Sequence, residues 1–427
     1  MSGMWRACYP WPMPAKPDLA QPGRRAMAPA VVVATLTLLL GIQPVTTDLY
    51  LPALPRLQHD LGASIGATQL TLSALIICFG FGQLACGPLA DRFGRRPVLL
   101  IGLALYVVAS IFSALAASID TLIVWRALQA AAMAAAVTCA RSVVRDLYPP
   151  HEGARVTSRA LSSLGVIALA SPLLGGVLTQ WFDWHAALLA LAVYGALALG
   201  VIAWRFEETA PGLDRNATRL RPLLRNWRSV LGHPTFRAWA ALSMCSYGGL
   251  FLVLAASSFV YIEVLGLSRV GYGFTLAANS FAYVMGTVWC RRLLLRHGLR
   301  GAVRRGAWFS LAGGLGMAVF SLAGVHTVWA VLLPQLLFAI GHGVHQPCGQ
   351  VGAVGPFPGK AGTAASLSGF AMMAAAFAVG LWLGSHLDGT VYPLTLGLAA
   401  CSFALVAVAW TLVQRDSEPR IALAPAS

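Results

Sequence analysis

Apolar residues along this chain come in long blocks, not in alternation. The block from Pro29 to Val45 holds no charge, and blocks of similar length recur as far as residue 413. A bilayer core about 30 Å thick is crossed by roughly 20 helical residues rising about 1.5 Å each. On that rule the sequence predicts twelve spans: 28–52, 67–89, 97–117, 119–141, 157–180, 186–205, 237–262, 270–292, 303–323, 326–348, 362–385 and 390–413. Inside lipid each backbone polar group must be satisfied within its own segment, so the fold class is an all-α polytopic membrane protein. Residues 1–27 carry Pro10, Pro12, Pro14, Pro17 and Pro22 and no uninterrupted apolar core. They read as a disordered tail and not as a signal peptide, with Met27 as an alternative start. Residues 414–427 read as a second tail. The longest connection, 206–236, divides the chain into six-span halves, 28–205 and 237–413. Within it Leu220, Leu223, Leu224, Trp227, Val230 and Leu231 recur at helical spacing, while Arg219, Arg221, Arg225 and Arg228 fill the other face. That pattern predicts an amphipathic helix lying on a membrane surface and tethering the halves.

Composition agrees with the pattern, and charge orients it. Hydrophobic residues make up 58% of the chain and charged residues 11%, against about 25% charged in soluble domains. A net charge of +15 would suit nucleic acid, but no nucleic-acid-reading module is present and the arginines lie in short connections. With the N-terminus inside, 27 of the 30 lysines and arginines fall on the cytoplasmic side. Only Arg56 and Arg269 fall opposite, and Arg126 lies within a span. The positive-inside rule therefore places both termini in the cytoplasm. The eight cysteines are scattered without CxxC or metal spacing and read as small core residues. No P-loop, cofactor motif or metal-ligand cluster is present.

Two charges in this apolar context are candidates for chemistry. Asp48 follows the first charge-free block, and an ionisable group in a span ordinarily faces a protein interior or a watery cavity. The competing reading ends the helix near Gln43 and lets Asp48 cap a surface turn. Counting about 1.5 Å per residue, Asp48 lies roughly 14 Å and Arg126 roughly 10 Å below the outer surface. They could share one depth. Burial disfavours a lone carboxylate and a nearby guanidinium favours it. A motion that changed their separation would change proton affinity, which coupling requires; a static ion pair is the alternative.

The motifs then point to a family. Gly87-Pro88-Leu89-Ala90-Asp91-Arg92-Phe93-Gly94-Arg95-Arg96 joins the second and third spans. This ordered string resembles the signature loop of the major facilitator superfamily. Arg126-Ala127-Leu128-Gln129, Arg145-Asp146-Leu147-Tyr148, Ser171-Pro172-Leu173-Leu174-Gly175-Gly176 and Thr47-Asp48-Leu49-Tyr50-Leu51-Pro52 together resemble its Bcr/CflA-type branch of twelve-helix drug:proton antiporters. Ile167, Ser171 and Ala130 stand where that branch usually has glycine, and the second-half counterpart of the signature loop, Arg291 to Arg305, lacks the Asp. The resemblance implies two six-helix bundles rocking about a central cavity in a bacterial inner membrane, without cofactor or enzymatic activity. It also implies Asp48 and Arg126 as the proton-coupling residues. Gly87, Asp91, Arg92, Gly94, Arg95, Arg96 and Asp146 would form an inner-face latch, and Pro172, Gly175 and Gly176 a bending, closely packed seal.

Charge limits the cargo. One titrating carboxylate suggests about one proton per cycle, and its exchange for a neutral solute is driven by about 2.3 kcal/mol per 100 mV. With Arg126 nearby the cavity is near neutral, which favours neutral or zwitterionic amphiphiles of the phenicol or bicyclomycin class. Tyr50, Gln129, Tyr247, Asn279, Tyr283, His342 and Gln346 are candidate substrate contacts, with interhelical hydrogen bonding as the competing role. His342 and His345, three apart, would share a helix face and form a second candidate for proton coupling. The expected partners are a small amphipathic molecule, protons and lipid, for a monomer that binds no nucleic acid. A nutrient:proton symporter uses the same fold and acid and is the alternative function; a membrane enzyme or haem carrier would need clustered acids or facing axial histidines.

Overall fold

The computed structural model describes residues 27, 29–148, 150–210 and 212–416. The expected tail 1–27 and the end of the chain from 417 thus lie almost wholly outside the described residues. Helix α1 (Pro29–Asp48) stops one residue short of Leu49-Tyr50, and the chain resumes as a 3₁₀ turn (Leu51–Ala53) and α2 (Leu54–Asp60). Pro52 and Pro55 cause the break, because proline lacks an N–H yet suits the first turn of a new helix. The first crossing is therefore interrupted directly after its carboxylate.

The following helices are α3 (Ile65–Phe93), α4 (Arg95–Ala114), α5 (Ile119–Leu147), α6 (Pro150–Trp181) and α7 (Trp184–Arg205). The short α8 (Leu220–Leu231) precedes α9 (Pro234–Ser258), which continues into a π-turn (Phe259–Val264). Then come α10 (Arg269–Leu322), α11 (Val328–Val354), α12 (Ala361–His386), α13 (Tyr392–Trp410) and α14 (Leu412–Asp416). Ser64, Ser118, Asp183, Ser268 and Thr327 each accept a backbone N–H at a helix start. All five caps lie at the arginine-poor end, where polar connections meet apolar helices.

Among the described residues, ten helices are long and apolar enough to cross a membrane. Helix α10 is not among them, and its two arms stand where the eighth and ninth spans are expected. A loop is expected between the eighth and ninth spans, around 293–302, but helix runs through it from 269 to 322 and turns at Gly298 alone (φ 65°, ψ −174°). Arg291, Arg292, Arg296, Arg300, Arg304 and Arg305 are good helix formers, so the polar stretch lengthens both arms into water. The positive φ is open to glycine without strain.

Helices α1 and α3–α7 pack into one bundle and α9–α14 into another. The bundles meet chiefly along α3 against α12 and α6 against α10. One apolar core runs through the first bundle and into the arginine-poor end of the second, through Phe259, Val260, Tyr261, Tyr272, Leu383 and Val391. A distinct core at the arginine-rich end of the second bundle holds Trp239, Cys290, Val344, Cys348 and Val413. The bundles thus share a core at the arginine-poor end, while at the arginine-rich end the second bundle has a core of its own, which Leu84 of α3 touches. Large apolar side chains such as Ile101, Val193, Phe274 and Phe403 stay exposed around the outside, as a lipid-facing belt requires.

Candidate functional site

Arg126 is fully buried in the first bundle, held by neutral groups. Its Nη1 donates to Gln129 Oε1 at 2.6 Å and its Nη2 to the Thr46 carbonyl at 3.2 Å. The guanidinium lies 4.3 Å over the Tyr50 ring, a cation–π contact. Behind this shell, Gln129 Nε2 donates to Ser110 Oγ, the Thr46 hydroxyl bonds Tyr106, and the Tyr50 hydroxyl bonds Thr71. Tyr50 and Gln129, expected to touch substrate, are therefore buried supports for Arg126. Among the described residues, Arg126 Nε has no hydrogen-bond partner.

Asp48 is not paired with Arg126. It is partly exposed, accepts a hydrogen bond from Thr47 Oγ1 at 2.8 Å, and lies close enough to Tyr247 and Tyr272 for its charge to act on their hydroxyls. Helical rotation explains the separation. Thr46, two residues earlier, turns its carbonyl to Arg126; at about 100° per residue Asp48 points nearly the opposite way, toward α9 and α10 of the other bundle. The static ion pair weighed as the alternative does not form, and the two groups, expected to share a depth in one cavity, lie on opposite faces of α1.

The other expected contacts divide similarly. Tyr247 is buried, and Gln43 approaches its hydroxyl across the bundle boundary. Asn279 accepts from Gln335, which in turn accepts from the Tyr261 hydroxyl, so Asn279 belongs to a buried interhelical chain. His342 bonds Ser246 Oγ at 2.8 Å and lies 5.4 Å from the Tyr283 ring. His345 instead meets Ser310 and the Val303 carbonyl on the second arm of α10. The two histidines thus serve different neighbours despite their spacing. Gln43, Asp48, Tyr283 and Gln346 retain partial exposure; Gln346 Nε2 reaches Met372 Sδ, and its Oε1 has no partner among the described residues.

At the arginine-rich end, the structure brings Asp91, Arg95 and Asp146 together: Arg95 Nη1 lies 2.7 Å from Asp91 Oδ1 and Nε 3.0 Å from Asp146 Oδ2. Gly94 has φ 98°, the left-handed region that favours glycine, and Glu208 packs directly against it. Gly87, by contrast, is helical, and a Cβ there would meet only Thr138 at 4.0 Å, so close approach does not require it. Arg92 donates to Thr218 Oγ1 at 2.6 Å and Arg96 to the Ala203 carbonyl at 3.1 Å. Glu208, which no motif singles out, accepts the backbone N–H groups of Arg95, Arg96, Thr209 and Ala210. Burial pushes its carboxyl up, but these four donors outweigh it and hold the group below the usual glutamate range. Glu208→Ala is expected to cost about 0.5–2 kcal/mol, the range for losing a helix cap, read as a lower melting temperature in detergent. The stabilisation is full above the ordinary glutamate value of about 4.3 and is lost as pH falls through the depressed one; an unchanged melting curve at neutral pH removes this role.

At the arginine-poor end glycines let the bundles touch backbone to backbone. A Cβ on Gly176 would lie 2.7 Å from the Arg269 carbonyl, and one on Gly273 2.9 Å from that of Pro172. Gly66 similarly abuts Gly384, and Gly175 has no room for a Cβ beside Leu49 within its own bundle. Helix α6 remains continuous through Pro172. Gly176→Leu is expected to wedge α6 from α10 and to raise thiol-reagent access to a cysteine placed at position 173; unchanged labelling excludes a seal here.

A family model described as the Major Facilitator Superfamily matches residues 36–380. The chain belongs to that superfamily. Multidrug resistance protein D of Escherichia coli is 30% identical over 334 residues, covering 78% of this chain and 83% of its own. The chloramphenicol resistance protein of Pseudomonas aeruginosa is 30% identical over 320 residues (74% of each chain). The bicyclomycin resistance protein homolog of Haemophilus influenzae is 25% identical over 390 residues, 91% of this chain and 98% of its own. These relatives fix the Bcr/CflA-type branch. The fold matches a D-xylose-proton symporter (TM-score 0.72, 16% identity, 91% of this chain and 98% of that one) and a human organic anion transporter (0.68, 19%, 90% and 99%). This major facilitator protein is thus a multi-pass membrane transporter of small molecules and not an enzyme.

Proposed function

We propose that this transporter exports amphipathic, neutral or zwitterionic drugs from the cytoplasm in exchange for protons, with Asp48 as the proton carrier. The observation that carries the reading is Asp48 itself. It sits at a helix break within a span, partly exposed, with no cationic partner among the described residues, and faces the opposite bundle. A carboxylate so placed binds a proton where water reaches it and releases it when its surroundings change. Arg126 lies across the same helix and holds the Thr46 carbonyl. Rotation of α1 would therefore move Asp48 and strain the Arg126 shell together, linking proton state to bundle position.

The drug class follows from charge and from the relatives' names, which include multidrug, chloramphenicol and bicyclomycin resistance. The arginine-rich end is the cytoplasmic one by the positive-inside rule. The merged core then closes the outer end, and cargo enters from the cytoplasm. The chain works as a monomer in the bacterial inner membrane with both termini cytoplasmic.

The test is drug-triggered proton movement in reconstituted vesicles with an imposed pH gradient. A phenicol that dissipates the gradient only when the protein is present supports the reading. If no drug in a broad panel moves protons while a nutrient accumulates with them, the protein is a symporter and the reading fails.

A further inference from the structure

The two bundles treat their arginines differently at the arginine-rich end. In the first, Arg95 is neutralised by Asp91 and Asp146. In the second, the sequence holds no Asp or Glu between Arg215 and Glu263, or between Glu263 and Asp388. Arg219 at the start of α8, Arg221, Arg225 and Arg228 on α8, and Arg291, Arg292 and Arg296 on α10 are exposed and make no ion pair among the described residues.

Helix α8 presents three faces. Val230 is fully buried and Trp227 packs against the core of the second bundle, so one face docks on protein. Ser229 is held by Lys360 at the start of α12, at 3.0 Å. Leu220, Leu224 and Leu231 are exposed by 65%, 49% and 48%. At about 100° per residue they fall on one stripe beside the docked face, and Arg221, Arg225 and Arg228 fall on the next stripe round. An apolar stripe left uncovered by protein, flanked by cations, matches the boundary between acyl chains and headgroups.

We propose that α8 and the adjoining arginine rim form a binding surface for anionic phospholipid, with phosphodiester headgroups on Arg221, Arg225 and Arg228 and acyl chains against Leu220, Leu224 and Leu231. Charge complementarity selects this occupant. Among the described residues no carboxylate neutralises these cations, and the bordering leucines admit a lipid tail, which a free phosphate does not possess. The surface is independent of what the transporter carries.

The purified full-length protein in neutral detergent is titrated with phosphatidylglycerol or with phosphatidylcholine of the same acyl chains, and retained lipids are counted by native mass spectrometry. Phosphatidylglycerol is expected to be retained preferentially. R221Q/R225Q/R228Q should weaken its retention on the order of 100-fold, roughly fivefold per arginine, with each single variant lowering it in proportion. L220S/L224S/L231S should also reduce retention, and inorganic phosphate should not displace the lipid. Equal retention of the two lipids, unchanged retention by the triple arginine variant, or displacement by inorganic phosphate would each overturn the proposal. The arginines are exposed and unpaired, so a monodisperse elution profile and native helicity accompany the single variants if the effect is on binding.

Discussion

Asp48→Asn is expected to abolish drug-triggered proton movement while leaving drug binding and gradient-free counterflow in place. Asparagine keeps the size and the acceptor for Thr47 Oγ1 but cannot take up or release a proton. The carboxylate is the group at risk because it terminates α1 beside a break, where the following residues leave the helix. Asp48→Glu keeps the titrating group with one more methylene and should retain coupled transport at reduced rate. The measurement is proton flux into vesicles upon drug addition, paired with exchange of labelled drug at equal pH on both sides. Loss of both activities in Asp48→Asn would assign the residue to structure, and retention of both would move the proton elsewhere. His342, beside Ser246 and Tyr283, would then be examined first.

Arg126→Met should destabilise the protein and stop transport together. Removing the guanidinium leaves Gln129 Oε1 and the Thr46 carbonyl without their donor in a buried site. Each orphaned acceptor costs about 1–3 kcal/mol, so the pair costs about 2–6 kcal/mol. Arg126→Lys is not a mild change either, because an ammonium cannot span both acceptors and lie flat on the Tyr50 ring. The expected result is a lowered melting temperature for both variants, with lysine intermediate, and transport reduced at temperatures where the protein remains folded. A lysine variant with native melting and native transport would show that Arg126 supplies charge alone.

The sequence carried the architecture far because lipid permits few solutions. Charge-free blocks, arginine placement and the Gly87–Arg96 string were enough to anticipate an all-α, two-bundle transporter, and the family match bears this out. The Gly298 joint was not legible, since arginines in a short polar stretch look the same in a loop and in a helix extended into water. Site geometry was legible in part. Asp91, Arg95 and Asp146 lie together as their order suggested. Asp48 and Arg126 were assigned a common depth but not a facing direction, because depth counts residues whereas facing depends on helix rotation. Tyr50 and Gln129 carried a polar signal that suits either a cavity wall or a buried support, and only the packing around Arg126 distinguishes them. Glu208 had no signal at all: its role depends on backbone amides more than a hundred residues earlier in the chain.

The joint at Gly298 also governs how force is shared within the second bundle. One residue supplies little slack, so the two arms of α10 stay tethered to each other at the arginine-rich end. Helix α6 bears on the first arm at Gly273, and α13 packs against α10. The connection after α7, by contrast, is fastened to the first bundle at Glu208, Asp214 and Thr218. With α8 docked on the second bundle, the connection is anchored on both halves and joins them at the arginine-rich end.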